Sequence, residues 1–229
     1  PMGAVPKPLE PSEMRPTSDH SRTRFNSFTS MALFRHALTA YKDVAYLLRK
    51  GFVMYVTDVE AAFPMLPLAP CIWMFFMFKF FADDDTATES LFMHIFGDFG
   101  AAGLPGTFKM FFVDCVIPMA RYALRLVLPI VVYVDDVAMI GRTESETDGE
   151  MARFQEWCER VTGTVFKVLK DKVSSALQLY VGLWWDSATL TRTLDENKLV
   201  SYLDLLDEYA HARSLTLRER RSVGGKMVR

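Results

Sequence analysis

Two adjacent aspartates interrupt an apolar run and constrain the fold of this chain more than any other feature. Residues 130–141 read IVVYVDDVAMIG, with Asp135 and Asp136 at the centre. Burial of one unpaired carboxylate is costly, and two side by side also repel each other. The run therefore predicts either a tight hairpin that exposes both acids at its turn, or a strand end where something neutralises them.

A third carboxylate, Asp58, ends a second apolar run, FVMYVT at 52–57. Strand ends often carry functional groups, because the scaffold fixes them while the adjacent loops leave room for a substrate. Two or three converging carboxylates form a hard-oxygen site suited to Mg²⁺. Two such ions can activate an attacking oxygen and stabilise a leaving oxygen in phosphoryl transfer. Bound cations would also offset the repulsion between Asp135 and Asp136.

The composition suits one domain with a sizeable core, or one domain and part of a second. Of the 229 residues 50% are apolar, and the net charge is −2. Residues 51–150 carry 14 Asp/Glu against 5 Lys/Arg, whereas residues 1–50 carry 8 Lys/Arg against 4 Asp/Glu and residues 151–229 carry 13 against 10. An acidic middle segment between two basic end segments could bind cations at the middle and a polyanion along the ends. The alternative is an ordinary scatter of charged residues over the surface.

The cysteines match no zinc or redox spacing and indicate reduced thiols in an intracellular protein, cytoplasmic or nuclear; they are Cys71, Cys115 and Cys158. No signal peptide is visible. The apolar run CIWMFFMFKFF at 71–81 is too short to span a bilayer, so no membrane partner is expected. We expect the chain to be a fragment of a longer polyprotein. The oligomeric state does not follow from the sequence.

Apolar periodicity and turn residues predict a mixed set of elements. Residues 1–29 predict a loop or irregular hairpin, and 83–85 a solvated turn. Helices are predicted at 30–50, 109–127, 147–163 and 195–212, the third burying Phe154, Trp157, Cys158 and Val161. Strands are predicted at 51–63, at 71–81, around Asp135–Asp136, and in a hairpin of 177–185 with 189–194 that turns at Asp186–Ser187. Residues 88–97 fit a strand or a short helix.

Several segments, in this order, resemble the motifs of reverse transcriptases. They are VPKPLEPSEMRPTSDHSRTRFN at 5–26, VTDVEAAF at 56–63, FGAAGLPGTF at 99–108, YVDD at 133–136 and LYVGLWWD at 179–186. The first resembles the fingers hairpin, the next three resemble the catalytic motifs, and the last resembles the primer-grip hairpin. The amino-acid sequences of the first and third segments resemble those of retrotransposons more than those of retroviruses, in particular retrotransposons that encode a tyrosine recombinase.

The resemblance implies an α+β fold: a right-hand polymerase palm with an antiparallel sheet and backing helices, partial fingers and the start of a thumb. Residues 1–50 would be a fingers portion, 51–185 the palm with a fingers segment near 71–98, and 186–229 the palm–thumb connection and a truncated thumb. The implied activity is RNA-directed DNA polymerisation, a nucleotidyl transfer. The implied partners are an RNA template, a DNA primer and dNTPs.

The resemblance also assigns roles to the carboxylates. Asp58, Asp135 and Asp136 match the catalytic residues, and Asp58 and Asp135 would hold two Mg²⁺ ions, for which Mn²⁺ is a substitute. Asp136 matches a third, less tightly engaged acid, and the carbonyl of Val59 would reach one ion. Phe63, next to Ala62 in the substrate site, matches an aromatic that stacks under the sugar and excludes a 2′-hydroxyl. The alternative interpretation of Phe63 is a core phenylalanine.

Other matches concern substrate and nucleic acid. Lys7 and Arg15 match a basic pair that clamps the triphosphate, while Gly100, Gly103 and Pro105 would shape the floor under the base. Phe99 and Leu104 depart from the glutamine and serine of many relatives. Residues expected to contact nucleic acid are Tyr133, Gly182, Leu183, Arg218 and Arg221. Lys170 or Lys172 would protonate the pyrophosphate, and the register leaves both open. The histidines show no ligand spacing.

Three alternatives remain open at this point. A viral RNA-dependent RNA polymerase shares the palm, although Phe63 argues against it. A non-enzymatic nucleic-acid-binding remnant of a retroelement would retain the fold without activity, although the intact acids argue against a decayed site. An Mg²⁺-dependent phosphotransferase acting on a small molecule would need no primer.

Overall fold

The structure, a computed structural model, describes residues 2–6, 14–30, 32, 34, 40–82, 85–167, 171–211, 214, 216, 217, 219 and 220. Of residues 2–6, 14–16, 80–82 and 85–90 it describes the backbone alone. The helices are α1 (Ala40–Leu47), α2 (Leu104–Phe108), α3 (Ile117–Leu124), α4 (Glu144–Thr162) and α5 (Glu196–His211). The strands are β1 (Met2–Pro6), β2 (Met14–Ser18), β3 (Val53–Asp58), β4 (Met77–Ala82), β5 (Asp85–Met93), β6 (Ile130–Tyr133), β7 (Asp136–Gly141), β8 (Lys172–Ser175), β9 (Leu177–Tyr180), β10 (Leu183–Asp186) and β11 (Thr191–Leu194).

A four-stranded antiparallel sheet forms the centre of the fold, with the strand order β6-β7-β3-β8. Strands β3 and β7 pair along their whole length, from Val53 opposite Gly141 to Asp58 opposite Asp136. All six residues of β3 are buried, which explains why this strand is an unbroken apolar run up to its last two residues. The two apolar runs therefore place Asp58 and Asp136 at the same end of the central strands.

The two faces of the sheet are covered by different layers, because successive strand residues point to opposite faces. Met54 and Val56 of β3 belong to a core shared with α1, which contributes Ala40 and Val44. Tyr55 lies on the other face, in a larger core. That core also contains residues of β7, α4, α3 and the π-helix Lys109–Val116, among them Val137, Met139, Met151, Phe154, Cys158, Phe112 and Ile117.

Helix α4 is the clearest case of local sequence determining an element. The Thr143 side chain accepts a hydrogen bond from the N–H of Glu146 and so caps the first turn. Gly163, with φ of 69°, ends the helix, and its N–H bonds to the carbonyls of Cys158 and Glu159. Glu150 of α4 accepts hydrogen bonds from the backbone N–H groups of Val127 and Leu128. This carboxylate therefore holds the loop before β6 against the helix.

Three smaller sheets surround this centre. Strands β1 and β2 form a hairpin, as do β4 and β5. Strands β9, β10 and β11 form an antiparallel sheet in the order β11-β10-β9. The turn between β9 and β10 consists of Val181, with φ of 51°, and Gly182, with φ of 76°. Two positive φ values in a two-residue loop define a type I′ turn.

The structure agrees with most predicted elements and corrects several. The hairpin prediction for the first 29 residues, the strand leading into a turn over 51–63 and the helices over 109–127, 147–163 and 195–212 are confirmed in their described parts. Of the predicted helix 30–50 only α1 is helical: the described residues 30, 32, 34 and 48–50 are not, and residues 31, 33 and 35–39 lie outside the described residues. Asp85 begins β5 instead of forming a turn, and residues 83–84 lie outside the description. Residues 88–93 are strand, which decides between the two alternatives there.

Two predictions near apolar runs were wrong. Residues 71–81 are not one strand, because a 3₁₀-helix occupies Pro70–Phe76 before β4 begins. Residues 177–185 are not one strand either, because the Val181–Gly182 turn divides them into β9 and β10. The turn at Asp186–Ser187 does exist, between β10 and β11. Val161 of α4 is half exposed instead of buried with Phe154, Trp157 and Cys158.

Among the described residues, no helix has both the length and the apolar character needed to cross a membrane. The thiols are all free: Cys71 and Cys115 are exposed, and Cys158 is buried. Burial raises the pKa of the Cys158 thiol to about 12. The free thiols agree with the predicted absence of disulfides.

Candidate active site

The backbone brings three aspartates to one end of the central sheet, where β3 and β6 end and β7 begins. Asp58 closes β3 and lies opposite Asp136, the first residue of β7. Asp135 lies in the two-residue turn that joins β6 to β7, where Tyr133 pairs with Asp136. The N–H of Val59 donates to the carbonyl of Asp135 over 2.8 Å. The sequence prediction that Asp58, Asp135 and Asp136 come together is therefore consistent with the backbone geometry.

The turn that carries Asp135 is strained. Val134 has φ of 57°, a region that β-branched residues rarely occupy. A two-residue turn with positive φ at its first central residue is of type II′, which favours glycine at that position. Strain of about 1–3 kcal/mol persists only where the surrounding structure over-determines the backbone. The paired strands β6 and β7 and the Val59–Asp135 hydrogen bond supply that restraint here.

Asp58 is a buried carboxylate with a lysine beside it. Its exposed fraction is 4%, and the Nζ of Lys167 lies 3.7 Å from its Oδ2. The backbone N–H of Lys167 also donates to the carbonyl of Asp58 over 2.9 Å. An ion pair at this depth offsets part of the cost of burying the carboxylate.

Tyr180 is hydrogen-bonded to the backbone of both strands of the β6–β7 hairpin. Its hydroxyl donates towards the carbonyls of Val131 and Asp136, each at 3.3 Å. Burial raises the pKa of the Tyr180 phenol well above its ordinary value, and the charge of Asp136 raises it further. The neutral phenol therefore remains a hydrogen-bond donor throughout the physiological range and ties β9 to both strands of the acidic hairpin.

A cavity of about 780 Å³ opens in front of the acidic residues. Its lining includes Asp58, Asp136 and Tyr133, together with the Val181–Gly182 turn and Leu183. Helix α5 contributes Asn197, Lys198 and Tyr202. The structure therefore brings together Asp58, Asp136, Tyr133, Gly182 and Leu183, which the sequence motifs placed in one functional region.

A polar cluster lies beside Asp58. The Thr57 hydroxyl donates to Asp171 Oδ1 over 2.5 Å, and the side-chain amide of Gln155 donates to both groups over 3.2 Å. Burial raises the pKa of Tyr55 to about 12, and the negative charge of Asp171 adds to this shift. Asp171 also lines the cavity. This network fixes the end of β3 against α4 and the start of β8.

The glycine-rich loop lies against the end of β2, the second strand of the first hairpin. Gly100 has φ of 128°, and a Cβ there would lie 1.8 Å from the Ser18 carbonyl oxygen, so only glycine fits. The N–H of Ser18 donates to the Phe99 carbonyl. Asn26 donates from its side chain to the Gly100 carbonyl and accepts from the N–H of Ala102. The loop is thus fastened on both sides of Gly100.

The remaining predicted substrate residues lie around this loop. Gly103 precedes α2, whose first turn contains Pro105. Val59 and Ala62 are buried in the larger core. Phe63 is half-buried, and its ring centroid lies 5.3 Å from that of Phe99. A half-buried ring leaves both interpretations of Phe63, a core residue and a sugar contact, in agreement with the structure.

A buried His–Asp pair holds the same loop, although the sequence analysis assigned the histidines no role. The Nε2 of His20 lies 2.9 Å from Asp98 Oδ1 and 3.0 Å from Oδ2, with exposed fractions of 4% and 7%. The rings of Phe25 and Phe76 enclose the imidazole, at centroid distances of 5.3 and 4.7 Å. Within the described residues its Nδ1 has no hydrogen-bond partner. The pair joins the 18–26 segment to the residue two positions before Gly100.

Several predicted contacts cannot be located. Lys7, Arg218 and Arg221 lie outside the described residues, as does Lys170. Arg15 pairs with Val5 in the β1–β2 hairpin, and only its backbone is described. Lys172 begins β8 and lines the cavity, and its Nζ donates to the Leu179 carbonyl over 3.1 Å.

Sequence reasoning missed Lys167, Tyr180 and the His20–Asp98 pair. Lys167 lies in the segment 165–167, which runs beside 58–60: the N–H of Glu60 donates to the Val165 carbonyl and Val59 bridges to Phe166. The β-branched and aromatic residues of TVF at 164–166 were the available signal for this short pairing. His20 and Asp98 are 78 positions apart, so no local pattern could join them.

Among the described residues, no three side chains of His, Cys, Asp or Glu are grouped closely enough to form a ready-made metal site. The hard-oxygen donors at the strand ends are the carboxylates of Asp58, Asp135 and Asp136. The ammonium of Lys167 is a cation already placed beside one of them.

No protein-family model and no curated protein matches the chain. Solved structures do match. A foamy viral protease-reverse transcriptase, the dRH form in complex with double-stranded DNA, superposes with a TM-score of 0.69 at 18% identity over 97% of this chain. The chain has a reverse-transcriptase-like fold.

Two further structures agree with this result. A foamy viral protease-reverse transcriptase in complex with an RNA/DNA hybrid matches with a TM-score of 0.64, at 19% identity over 99% of this chain. The CSH mutant of the prototype foamy virus protease-reverse transcriptase matches with a TM-score of 0.61, at 17% identity over 85% of this chain. The chain spans only 34%, 26% and 22% of the lengths of these three proteins. Identities this low support the fold and leave the activity to be argued from the site.

Proposed function

We propose that this chain is the catalytic portion of an RNA-directed DNA polymerase. The observation that carries the proposal is the pairing of Asp58 with Asp136 at the end of the two central strands, where both residues line a cavity of about 780 Å³. Asp58 and Asp136 belong to the segments VTDVEAAF and YVDD, which resemble the catalytic motifs of reverse transcriptases. Double-stranded DNA and an RNA/DNA hybrid bound to the foamy viral proteins support nucleic acid as the partner.

In this proposal the central sheet with α3 and α4 is the palm. The β1–β2 and β4–β5 hairpins belong to the fingers, and α5 begins the thumb. The domain limits predicted from the sequence, 1–50, 51–185 and 186–229, remain a prediction. An origin in a retrotransposon that encodes a tyrosine recombinase also remains a prediction from the motifs.

The donor chemistry of the site suits Mg²⁺. This ion prefers oxygen ligands and is usually held by one or two carboxylates together with waters and substrate phosphates, so a cage of three protein side chains is not required. Asp58, Asp135 and Asp136, with the carbonyl of Val59, are the groups that would hold it. When bound, Mg²⁺ (or Mn²⁺) supplies positive charge that lowers the pKa of the primer 3′-hydroxyl and neutralises the leaving pyrophosphate.

The chain's own residues bind and orient the reactants. The primer 3′-hydroxyl attacks the α-phosphate of a dNTP, and the bond to the pyrophosphate breaks. The type I′ turn at Val181–Gly182 and Tyr133 would position the primer end across the cavity from Asp58 and Asp136. Phe63 would lie against the sugar, and the loop around Gly100 would support the base. Of the two lysines considered as proton donor, Lys172 lines the cavity and Lys170 lies outside the described residues, so Lys172 is the one whose position supports this role.

The test is single-nucleotide addition to a DNA primer annealed to an RNA template, with each dNTP offered separately in Mg²⁺. We expect addition of the complementary nucleotide alone. Asp58→Asn should abolish it, because the carboxylate oxygens at the strand end are lost. Asp114→Asn is the matched control, since Asp114 is a partly exposed acid paired with Lys109. Addition that does not depend on the template, or that survives Asp58→Asn, would refute the proposal.

A further inference from the structure

Lys167 is held beside Asp58 by its backbone. Its N–H donates to the Asp58 carbonyl over 2.9 Å, and the N–H of Glu60 donates to the Val165 carbonyl over 2.8 Å. Val59 and Phe166 form a bridge between these two bonds. The segment 165–167 is therefore an antiparallel extension of the strand end. The Lys167 side chain can turn away from Asp58, but its backbone cannot leave without breaking this pairing.

The ammonium lies next to an oxygen that the proposed function assigns to Mg²⁺. Lys167 Nζ is 3.7 Å from Asp58 Oδ2, and the exposed fractions of the two side chains are 29% and 5%. A lysine side chain is a flexible point charge, unlike the fixed fork of an arginine. Two cations a few ångströms apart in a partly buried site repel strongly. The ammonium and a divalent ion therefore compete for the same carboxylate.

We propose that Lys167 is a resident counter-ion of Asp58 that gives up this carboxylate when Mg²⁺ binds, and that Lys167 thereby sets the Mg²⁺ affinity of the site. The inference rests on the proposed function, because it takes Asp58 as a metal-holding residue. In the absence of the ion, Lys167 keeps the buried carboxylate neutralised and in place. In its presence, the part of the lysine side chain that is already exposed turns towards solvent.

The experiment is calorimetric titration of Mg²⁺ into the purified chain without nucleotide or nucleic acid, so that no activity is needed. We expect Lys167→Gln to bind Mg²⁺ on the order of tenfold more tightly than the wild type, because the competing charge is gone. Lys167→Arg should bind more weakly than the wild type, because guanidinium pairs with a carboxylate through two hydrogen bonds. Lys167→Arg also keeps the ion pair, so it stays informative if the glutamine variant does not fold.

Lys198→Gln is the matched control. Lys198 lines the same cavity from helix α5, with its Nζ beside Gly182. We expect its removal to change the Mg²⁺ affinity much less than removal of Lys167. An equal gain in both glutamine variants would show a general field effect and overturn the inference.

The outcomes separate this inference from the proposed function. A wild type that binds Mg²⁺, with unchanged affinity in Lys167→Gln and Lys167→Arg, overturns the inference and leaves the proposed function standing. Loss of binding in Asp58→Asn would confirm that the titration reports this site. A wild type and variants that all lack saturable Mg²⁺ binding would overturn the inference alone, because substrate phosphates complete the site in the proposed function, which primer extension tests separately.

Discussion

The backbone N–H of Val59 donates a 2.8 Å hydrogen bond to the carbonyl oxygen of Asp135. This bond fastens the tip of the β6–β7 hairpin to the end of β3, beyond the last register pair of Asp58 with Asp136. The three acids therefore share one rigid backbone unit, although Asp58 and Asp135 are far apart in the chain. A small displacement of the hairpin would move Asp135 and Asp136 relative to Asp58.

The strained turn gives a first prediction. Val134→Gly should stabilise the fold by about 1 kcal/mol. Glycine removes the backbone strain at φ of 57°, but its greater conformational entropy in the unfolded chain cancels part of that gain. The same change should slow primer extension, since the hairpin tip becomes less restrained. Urea unfolding and an extension assay measure the two effects.

The control for this prediction is Val127→Gly. Val127 is an exposed valine outside the set of residues with positive φ, so its replacement relieves no such strain. It should leave stability unchanged or lower it slightly. Equal destabilisation by both substitutions would show that the Val134 conformation costs nothing.

A second prediction concerns the close approach at Gly100. Gly100→Ala should destabilise the chain by more than about 1 kcal/mol, because its Cβ would overlap the Ser18 carbonyl oxygen and φ is 128°. Gly149→Ala, in an exposed turn of α4 with open space around it, should instead stabilise by about 0.5–1 kcal/mol. Thermal unfolding compares the two. A Gly100→Ala variant as stable as the wild type would contradict the packing described for this loop.

The His20–Asp98 pair gives a third prediction, tested by a double-mutant cycle with His20→Phe and Asp98→Leu. Each single change should cost about 1–3 kcal/mol, because it leaves the other polar group buried without its partner. The double variant should lose less than the sum, with a coupling energy above about 1 kcal/mol. His211 and Asp207 form an exposed pair, both 78% accessible, and the same cycle there should show no measurable coupling.

A fourth prediction follows from the buried thiol. Burial raises the folded-state pKa of Cys158 to about 12 from an ordinary value of 9.0. Above pH 9 the unfolded chain therefore loses a proton that the folded chain keeps, and stability falls as the pH rises towards 12. For this one group, the free energy of unfolding falls by up to about 1.4 kcal/mol for each pH unit.

Cys158→Ala should remove this group's contribution and delay the alkaline loss of stability to above pH 10, where Tyr55, with a pKa of about 12, begins to act in the same direction. Unfolding by urea at pH 8, 9 and 10 measures the difference. Cys115→Ser, at an exposed position, is the control. A wild type whose stability is flat from pH 8 to 10 would contradict the burial of Cys158.

The sequence predicted the parts of the fold where pattern and turn chemistry agree. The apolar runs of β3 and β7 are recognisable because these strands are buried, and α4 has both a Thr143 cap and a Gly163 stop. The pairing of Asp58 with Asp136 followed from the motif order and not from periodicity. The structure adds the register that brings them together.

The errors arose where a local pattern was ambiguous. An apolar run such as CIWMFFMFKFF fits a strand or a helical turn equally well, and Pro70 at the first turn decided for a 3₁₀-helix up to Phe76. The apolar pattern missed the turn at Val181–Gly182, because valine rarely adopts φ of 51°, although the resemblance of 179–186 to a primer-grip hairpin implied a turn there. The contacts of Lys167 with Asp58 and of His20 with Asp98 depend on tertiary pairing, which no single-sequence pattern records.

The most direct test of RNA-directed DNA synthesis is extension of oligo(dT) on poly(rA) in Mg²⁺, with dTTP and UTP offered in parallel. The proposal predicts extension with dTTP alone, loss of extension in Asp135→Asn, and a gain of UTP use when Phe63→Val removes the ring beside Phe99. Equal extension by the wild type with both nucleotides would indicate an RNA polymerase. No extension by the folded, Mg²⁺-binding chain would contradict the proposed activity.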